Sequence, residues 1–473
     1  MWKRQLPLQR INPLLIIFCS NKPHSSNMGF ICMSHIKTIG VMTGNSLDAV
    51  DVVLTEFGEK SIRDIAFTTL EYPAQMTKDL LKLRALIKEH QAEMDKQGTN
   101  SFFVETVNAY SRLVAEAVNK LIADNDLDKK EIAAIGFHGQ TCDHFPPSIA
   151  GDKEPYTVQV GNAGLLADLT GIPVVWDFRS DDVMNGGEGA PLAPVHNLHI
   201  AEDMKGRGIF PVAFCNAGNT GNIAVISEDE KEKNIVLGWD IGPFNHFADF
   251  LTRTYKGQMC DMDARWGKQG KIIPELLKKL FDSVAVNDKG DNFYLQLPPK
   301  SSDPSWYRII DELETLKYSF EDTLRTVEYL STYAYMHSLS FIPENVKMPE
   351  NFLVFGGGWK NPLCIPDFKD LLSGKGMVLE EHKPLFAKIR NRFSDDCRIE
   401  WSDEQGYSGK YMEARIFADL SYCKIIGEPF TYPETTGCLT PTIAGIWRYP
   451  GETTKSPLWN RAVKGWTRNK NFD

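Results

Sequence analysis

The sequence predicts an α/β protein with more than one domain, and three observations carry that prediction. Short apolar segments alternate with longer ones in which apolar residues recur at helical spacing. A unit of strand, small polar turn and returning strand occurs twice, near residues 36–54 and near 211–226. At 473 residues the chain is too long for one ordinary core; domains of about 100–200 residues make two or three the expectation.

The elements follow in order. Residues 36–41 are mostly apolar, residues 43–46 read Thr-Gly-Asn-Ser, and residues 49–54 are apolar again, so two strands flank a polar turn. Helical spacing predicts helices over about 76–94 and 103–123. Residues 132–137 form a buried strand ending at His138-Gly139-Gln140-Thr141. A helix over 161–170 precedes a strand over 173–176, which ends in Asp177-Phe178-Arg179. The second strand–turn–strand unit spans 212–215, the turn 216–221, and 222–226. Helices are predicted over 245–254, 271–281 and 322–339. A strand over 352–355 runs into Gly356-Gly357-Gly358, and a last helix covers about 411–420. Beyond Pro429 the Pro-, Gly- and Trp-rich chain shows little periodicity and reads as a surface-wrapping tail.

Composition narrows the function. The chain is 42% hydrophobic and 24% charged, which excludes a disordered or collagen-like protein. A net charge of −10 argues against a nucleic-acid partner, because phosphate backbones demand a basic footprint. Nine scattered cysteines without a CxxC pair argue against a disulfide scaffold and a Cys-rich zinc site, and fit reduced thiols in a cytoplasm. Lys3 and Arg4 precede an apolar run over 14–19 that is too short to span a bilayer. Residues 1–35 are therefore expected to be a dispensable extension, either a targeting segment or an over-called start before Met28 or Met33. No membrane partner is expected. No residue fixes the oligomeric state, although a homodimer is the commonest closed assembly.

Several segments carry chemistry. A turn of Gly, Ser, Thr and Asn between strands presents backbone N–H groups to phosphate oxygens. Two such turns, one in each half, can hold one nucleotide from opposite sides; each also fits an ordinary hairpin whose small residues serve the turn. Asp48 and Asp51 follow the first turn and can hold Mg²⁺ directly or through water. No GxxxxGK[ST] is present, which excludes a Walker-type NTPase. Asp177 ends an apolar strand, where carboxylates of open α/β sheets face ligand crevices. It suits a general base beside a sugar or alcohol; it equally suits a carboxylate paired with Arg179 or capping a turn. Asp181 and Asp182 follow, and then the glycine-rich loop 185–192. His138, Cys142 and His144, and His196 with His199, lack further ligands at sensible spacing and are not read as metal centres. The run Gly356–Gly358 suits either an adenosine ring against the backbone or a flexible turn.

Taken together, these segments resemble the anhydro-N-acetylmuramic acid kinase family. The resemblance rests on an ordered set: Gly44-Asn45-Ser46-Leu47-Asp48-Ala49-Val50-Asp51, His138-Gly139-Gln140-Thr141, Thr157-Val158-Gln159-Val160-Gly161, Asp177-Phe178-Arg179, Gly186-Gly187-Glu188-Gly189-Ala190-Pro191-Leu192, residues 216–222, Asp240-Ile241-Gly242-Pro243-Phe244-Asn245, Pro298-Pro299-Lys300-Ser301, Gly356-Gly357-Gly358-Trp359-Lys360-Asn361, and Glu413-Ala414. It covers about residues 36–425.

The resemblance implies a two-lobed actin-like ATPase fold of the sugar-kinase type, each lobe a mixed sheet flanked by helices, with a cleft between them. Lobe I is expected over 36–150, joined by the C-terminal helix and tail 405–473, and lobe II over 151–404. The implied reaction uses ATP to phosphorylate O6 of anhydro-N-acetylmuramic acid while water opens its 1,6-anhydro ring, a step of murein recycling. Asp177 matches the catalytic base, and Glu328 on the long helix is a weaker catalytic match. The resemblance assigns ATP and phosphates to Gly44, Asn45, Ser46, Leu47, Asp48, Ala49, Val50, Asp51, Gly218, Asn219, Asn222, Gly356, Gly357 and Gly358. It assigns the sugar to Gln140, Arg179, Gly187 and Glu188, and Mg²⁺ to Asp48 and Asp51.

This sequence departs from the family pattern at Asn45 for Thr, Ala49 for Gly, Glu188 for Gln and Asn219 for Gly. Ser302-Asp303-Pro304 stands for the family's TGR, and Arg265-Trp266-Gly267 for small residues. The departures keep two alternatives open: a kinase of the same fold acting on another sugar, and a non-catalytic nucleotide-binding scaffold.

Overall fold

The computed structural model describes residues 35–460 except 45–46, 48, 90–99, 151–152, 284, 287–289, 299, 301–306, 309–317 and 394–396. Residues 1–34 of the expected extension 1–35, the motif residues Asn45, Ser46 and Asp48, and residues 299 and 301–304 lie outside the described residues. The described chain divides into two compact units, residues 35–206 with 406–460, and residues 207–405.

The first unit is built on a six-stranded sheet. Strands β1 (Ile36–Thr43), β2 (Ala49–Gly58) and β3 (Ser61–Glu71) form an antiparallel meander. Helices α1 (Ala74–Glu89) and α2 (Ser101–Asp124) follow. The Asn100 side chain accepts the Phe102 N–H and starts α2, whose apolar face, including Phe103, Val107, Tyr110 and Val114, is buried. Strand β4 (Ile132–Phe137) pairs parallel to β1. Strands β5 (Gln140–Phe145) and β6 (Tyr156–Val160) make a separate antiparallel pair. Helix α3 (Ala163–Thr170) leads to β7 (Val174–Trp176), parallel to β4, and then to α4 (Ser180–Met184) and α5 (Ala193–Gly206).

The inserted unit repeats that plan. Strands β8 (Val212–Ala217), β9 (Thr220–Glu228) and β10 (Asn234–Pro243) form a second antiparallel meander. Helices α6 (Asn245–Lys256), α7 (Pro274–Ser283) and α8 (Phe320–Ser338) precede β11 (Asn351–Phe355), parallel to β8. Helices α9 (Cys364–Ser373) and α10 (Lys383–Arg390) lead to β12 (Arg398–Trp401), parallel to β11. The order β3-β2-β1-β4-β7 in one unit is matched by β10-β9-β8-β11-β12 in the other. The repeat of shape read from the two turns is thus a repeat of whole-sheet topology. Each unit buries its own core, around Tyr110 and Phe137 in the first and around Tyr333 and Phe368 in the second.

The chain re-enters the first unit through α11 (Met412–Ile426), which lies on β1, β2 and β4. Two glycines, opposite each other in the β1–β4 register, form its seat. A Cβ on Gly40 would lie 1.8 Å from the Ala414 carbonyl oxygen, and one on Gly136 would lie 2.0 Å from that of Phe417. Helix and sheet meet backbone to backbone there, and Thr38 Oγ1 donates to the Ala418 carbonyl at 2.8 Å.

Two expectations are corrected. Residues 151–206, expected in the second lobe, belong to the first unit, since β6 pairs with β5 and β7 with β4. The segment beyond Pro429 is more than a wrap: β13 (Ile446–Arg448) adds an edge strand to β7, and Asn460 is fully buried beneath β6. Where the inserted unit begins and ends, Arg207 donates to the backbone carbonyl and the Oε1 of Gln405 at 3.1 and 2.7 Å.

Candidate active site

In the first unit, β7 delivers Asp177 to the sheet's end. The residue is buried, and its φ of +59° places it in the left-handed region. That conformation costs a non-glycine residue free energy, and such outliers gather at functional positions. It turns the chain sharply from β7 toward α4, and the carboxylate accepts the Ser180 N–H at 3.3 Å.

The glycine loop that follows is clamped from below by Asp182. Its Oδ2 accepts the Gly189 N–H at 2.7 Å and its Oδ1 accepts the Thr436 hydroxyl at 2.6 Å. A Cβ on Gly187 would lie 2.3 Å from that carboxylate. Gly186 and Gly189 take φ of +81° and +70°. Asp182 is therefore a structural carboxylate, while Asp177 caps the turn into α4 through the Ser180 N–H. Glu188 is held from another segment: Ser148 donates its N–H to Oε1 at 3.0 Å and its hydroxyl to Oε2 at 2.6 Å. Two donors on one residue suit an acceptor-only carboxylate, which accounts for Glu where the family has Gln.

Arg179 does not point its hydrogen bonds at Asp177. Its Nε donates to His138 Nε2 at 3.0 Å and one Nη donates to the Gly189 carbonyl at 2.6 Å. Burial draws this guanidinium down to about 10, with the Asp182 charge acting the other way. Burial, then Arg179, holds His138 well below the usual imidazole range, so it is neutral. With Nε2 accepting from Arg179, the proton sits on Nδ1, on the side of the Gly139 backbone. Gln140, also buried, donates to the Gly44 carbonyl at 3.3 Å, while Tyr72 donates to its Oε1 at 3.4 Å. The HGQT segment thus joins the first turn to the loop after β7. Leu47 of that turn has φ of +55°, and its carbonyl accepts the Thr77 hydroxyl at 2.8 Å.

Asp51 projects from β2 and accepts the Thr69 hydroxyl at 2.6 Å, with Lys410 Nζ 4.0 Å away. Burial, then the Asp51 charge, pushes the carboxyl of Glu413 up. Two carboxylates brought together this way are oxygen donors of the kind Mg²⁺ takes through water. Ala49 and Val50 serve as strand residues of β2.

In the inserted unit, three motifs converge. The β8–β9 turn is closed by Gly218 N–H to the Thr220 carbonyl at 3.2 Å. The Gly218 and Asn219 carbonyls accept the N–H groups of Asn245 and Phe244 at 3.1 and 2.9 Å, which ties the turn to the start of α6. Tyr335 of α8 donates to the Asn222 carbonyl at 2.8 Å. Gly356, with φ of +93°, crosses this turn; a Cβ there would lie 2.6 Å from the Ala217 carbonyl oxygen. A Cβ on Gly358 would lie 2.5 Å from the Phe244 ring, and Gly357 stands beside Asn245. Gly218, Asn219, Asn222 and the Gly356–Gly358 run therefore share one surface with Asn245, a residue to which the motif pattern assigns no role.

Glu328 lies in α8 under the same loop, where Asn361 donates to its Oε1 at 2.8 Å. Burial, then the neighbouring Asp261 carboxylate, pushes Glu328 up to about 8. Asp261 itself accepts the N–H groups of Trp266 and Gly267 at 3.1 and 2.8 Å. Gly267 is pressed against Glu328, a Cβ there lying 2.0 Å from its Oε2. The Arg265-Trp266-Gly267 departure thus encloses this buried carboxyl. Sequence reasoning misses Asp261 and gives Asn361 a place in a motif but no role, because their partner is distant along the chain.

A family model described as anhydro-N-acetylmuramic acid kinase matches residues 36–383. An anhydro-N-acetylmuramic acid kinase of Variovorax paradoxus is 36% identical over 276 residues, 57% of this chain and 67% of that protein. One of Methylorubrum extorquens is 30% identical over 424 residues, 88% of this chain and 99% of that protein. Among solved structures, a ligand-bound xylulose kinase from Lactobacillus acidophilus is similar, at 12% identity with a TM-score of 0.32, covering 83% of this chain and 98% of that one.

Proposed function

Because the chain belongs to the anhydro-N-acetylmuramic acid kinase family, we propose that it opens the 1,6-anhydro ring of anhydro-N-acetylmuramic acid with water and transfers the γ-phosphoryl group of ATP to O6. The chain is a sugar kinase, and ATP is its co-substrate. The observation that carries the finer reading is Asp177, a buried carboxylate held at a strand end in a left-handed backbone conformation, directly before a clamped glycine loop.

In this reading the Asp177 carboxylate takes a proton from the water that attacks the anomeric carbon. The bond from that carbon to the bridging oxygen breaks, and the freed oxygen, O6, attacks the γ-phosphorus. General-base assistance of this kind is worth roughly 10²–10⁴-fold. Gln140 and Gly187 are kept in this reading as groups for the sugar, and the neutral His138 that receives Arg179 is added to them. Arg179 and Asp182 hold the loop's shape, and Glu188 anchors it to Ser148. The Gly44 turn and the Gly218–Asn222 turn with Gly356–Gly358 serve phosphates and adenosine. Asp51, with Glu413 beside it and Asp48 three residues earlier in the sequence, would hold Mg²⁺, which when bound neutralises phosphoryl charge. Glu328 is kept as a second catalytic candidate of the inserted unit. We assign the reaction to the cytoplasm, where ATP is supplied and scattered cysteines stay reduced. No helix among the described residues is long and apolar enough to cross a membrane.

The test is transfer of labelled phosphate from ATP across a panel of anhydro and ordinary sugars. Anhydro-N-acetylmuramic acid should be the preferred acceptor. Asp177→Asn should lower turnover by roughly 10²–10⁴ while leaving ATP affinity unchanged. Turnover near that of the parent chain would remove Asp177 from the base role, and preference for another sugar would replace the assigned substrate.

A further inference from the structure

Away from Asp177, the first unit gathers His196 and His199 of α5, Asp419 and Cys423 of α11, and Glu428 just beyond α11. Asp419 is fully buried, and each of its oxygens is taken by a histidine: Oδ2 by His196 Nδ1 at 2.7 Å and Oδ1 by His199 Nδ1 at 2.8 Å. A histidine whose Nδ1–H is held by a carboxylate has its Nε2 fixed in direction as a ligand, the arrangement found behind zinc-binding histidines. His199 Nε2 faces Glu428 Oε1 at 3.8 Å. The chain is bent to bring Glu428 there. Gly427 ends α11 with φ of +75°, and the N–H groups of Gly427 and Glu428 both return to the Cys423 carbonyl. The cap therefore sets the Glu428 side chain beside the Cys423 thiol. Ligand atoms of His199, Cys423 and Glu428 all lie within 4.8 Å of one another.

We propose that His199 Nε2, Cys423 Sγ and the Glu428 carboxylate form a binding site for Zn²⁺, with water as the fourth ligand. Tetrahedral zinc at ordinary Zn–N and Zn–S lengths sets its ligands about 3.3–3.8 Å apart, so the three side chains need close by only a fraction of their spacing. A nitrogen, a thiolate sulfur and a carboxylate oxygen suit a borderline-soft divalent ion better than Mg²⁺ or Ca²⁺. The side chain of Glu428 is 42% exposed, which leaves an entry path and room for the water. On binding, the ion replaces the proton of the imidazolium nitrogen and that of the thiol, and both protons pass to solvent. The bound ion fastens α5 to the C-terminal end of α11. The competing use of these groups is an ion-free network around Asp419, in which His199 pairs with Asp419 and Glu428 and the Cys423 thiol donates to Asp419 Oδ1 at 3.8 Å.

The probe is Co²⁺, which adopts the same tetrahedral site and reports thiolate ligation optically. Metal-stripped full-length protein titrated with CoCl₂ should develop a thiolate-to-cobalt charge-transfer band in the near ultraviolet at one equivalent, and ZnCl₂ should abolish it. Cys423→Ser should remove the band. Glu428→Gln, at a half-exposed position that spares the fold, should weaken binding at least about tenfold, the effect expected even of an outer partner. ZnCl₂ should also raise the thermal midpoint in a concentration-dependent way. Absence of the band at one equivalent, its survival in Cys423→Ser, or unchanged affinity in Glu428→Gln would each overturn the site. Sugar phosphorylation is not the readout, so these outcomes are independent of the proposed reaction.

Discussion

Asp177 and Asp182 share one loop and have opposite tasks. Asp182 spends both oxygens on Gly189 and Thr436, whereas Asp177 is set by a left-handed turn at the strand end. Glu188 belongs with Asp182 as a holder of the loop. Glu188→Gln keeps a single acceptor oxygen for the two Ser148 donors, so the thermal midpoint should fall by a few degrees, from roughly 0.5–1.5 kcal/mol of lost hydrogen bonding; an unchanged midpoint would show that Ser148 adds nothing. Glu328 makes a prediction in pH. Its folded-state value of about 8 lies above the ordinary 4.5, so the folded protein retains a proton that the unfolded chain gives up. The group's contribution to stability is complete below about 4.5 and is lost as pH rises through about 8. Each tenfold difference in proton affinity between the folded and unfolded chains is worth ~1.4 kcal/mol. Unfolding free energies measured from pH 5 to 8 should decline more steeply for the parent chain than for Glu328→Gln. Parallel slopes would mean that Glu328 titrates normally.

Helix α11 shows how an element can depend on residues with no side chain. Gly136→Ala puts a methyl group 2.0 Å from a helix carbonyl, and neither backbone can yield cheaply, so the loss should be about 3 kcal/mol or more. Gly218→Ala, whose nearest neighbour would be 3.5 Å away, should melt within about 0.5 kcal/mol of the parent; equal losses in the two variants would refute the seat. Much of this architecture was legible in the sequence. The two polar turns, the strand ending at Asp177 and the helix near 411–420 are local signals of composition and spacing. What stayed hidden has partners far along the chain. β13 is too short to show alternation and exists as a strand because β7 accepts it. The boundary at 151 failed because no feature near it reveals that β7 belongs beside β4. Thr436 under Asp182, Ser148 against Glu188, and Cys423 beside His199 are likewise meetings that only the fold arranges.

For the whole molecule, the two units are related by topology and separate in their cores. Residues 207–405 close a sheet of their own around Tyr333, Phe352 and Phe368, so expressed alone this segment should unfold cooperatively in urea. A broad, non-cooperative transition would show that the segment depends on the rest of the chain. The Arg207–Gln405 clasp joins the points where this unit departs and returns. Its consequence is mechanical. Tension applied between the ends of the chain can pass from residue 207 to residue 405 through two hydrogen bonds, bypassing β8 to β12. A molecule stretched from its termini should therefore lengthen in two steps, the segments 35–206 and 406–460 giving way first, while the inserted unit bears no load until its clasp has parted.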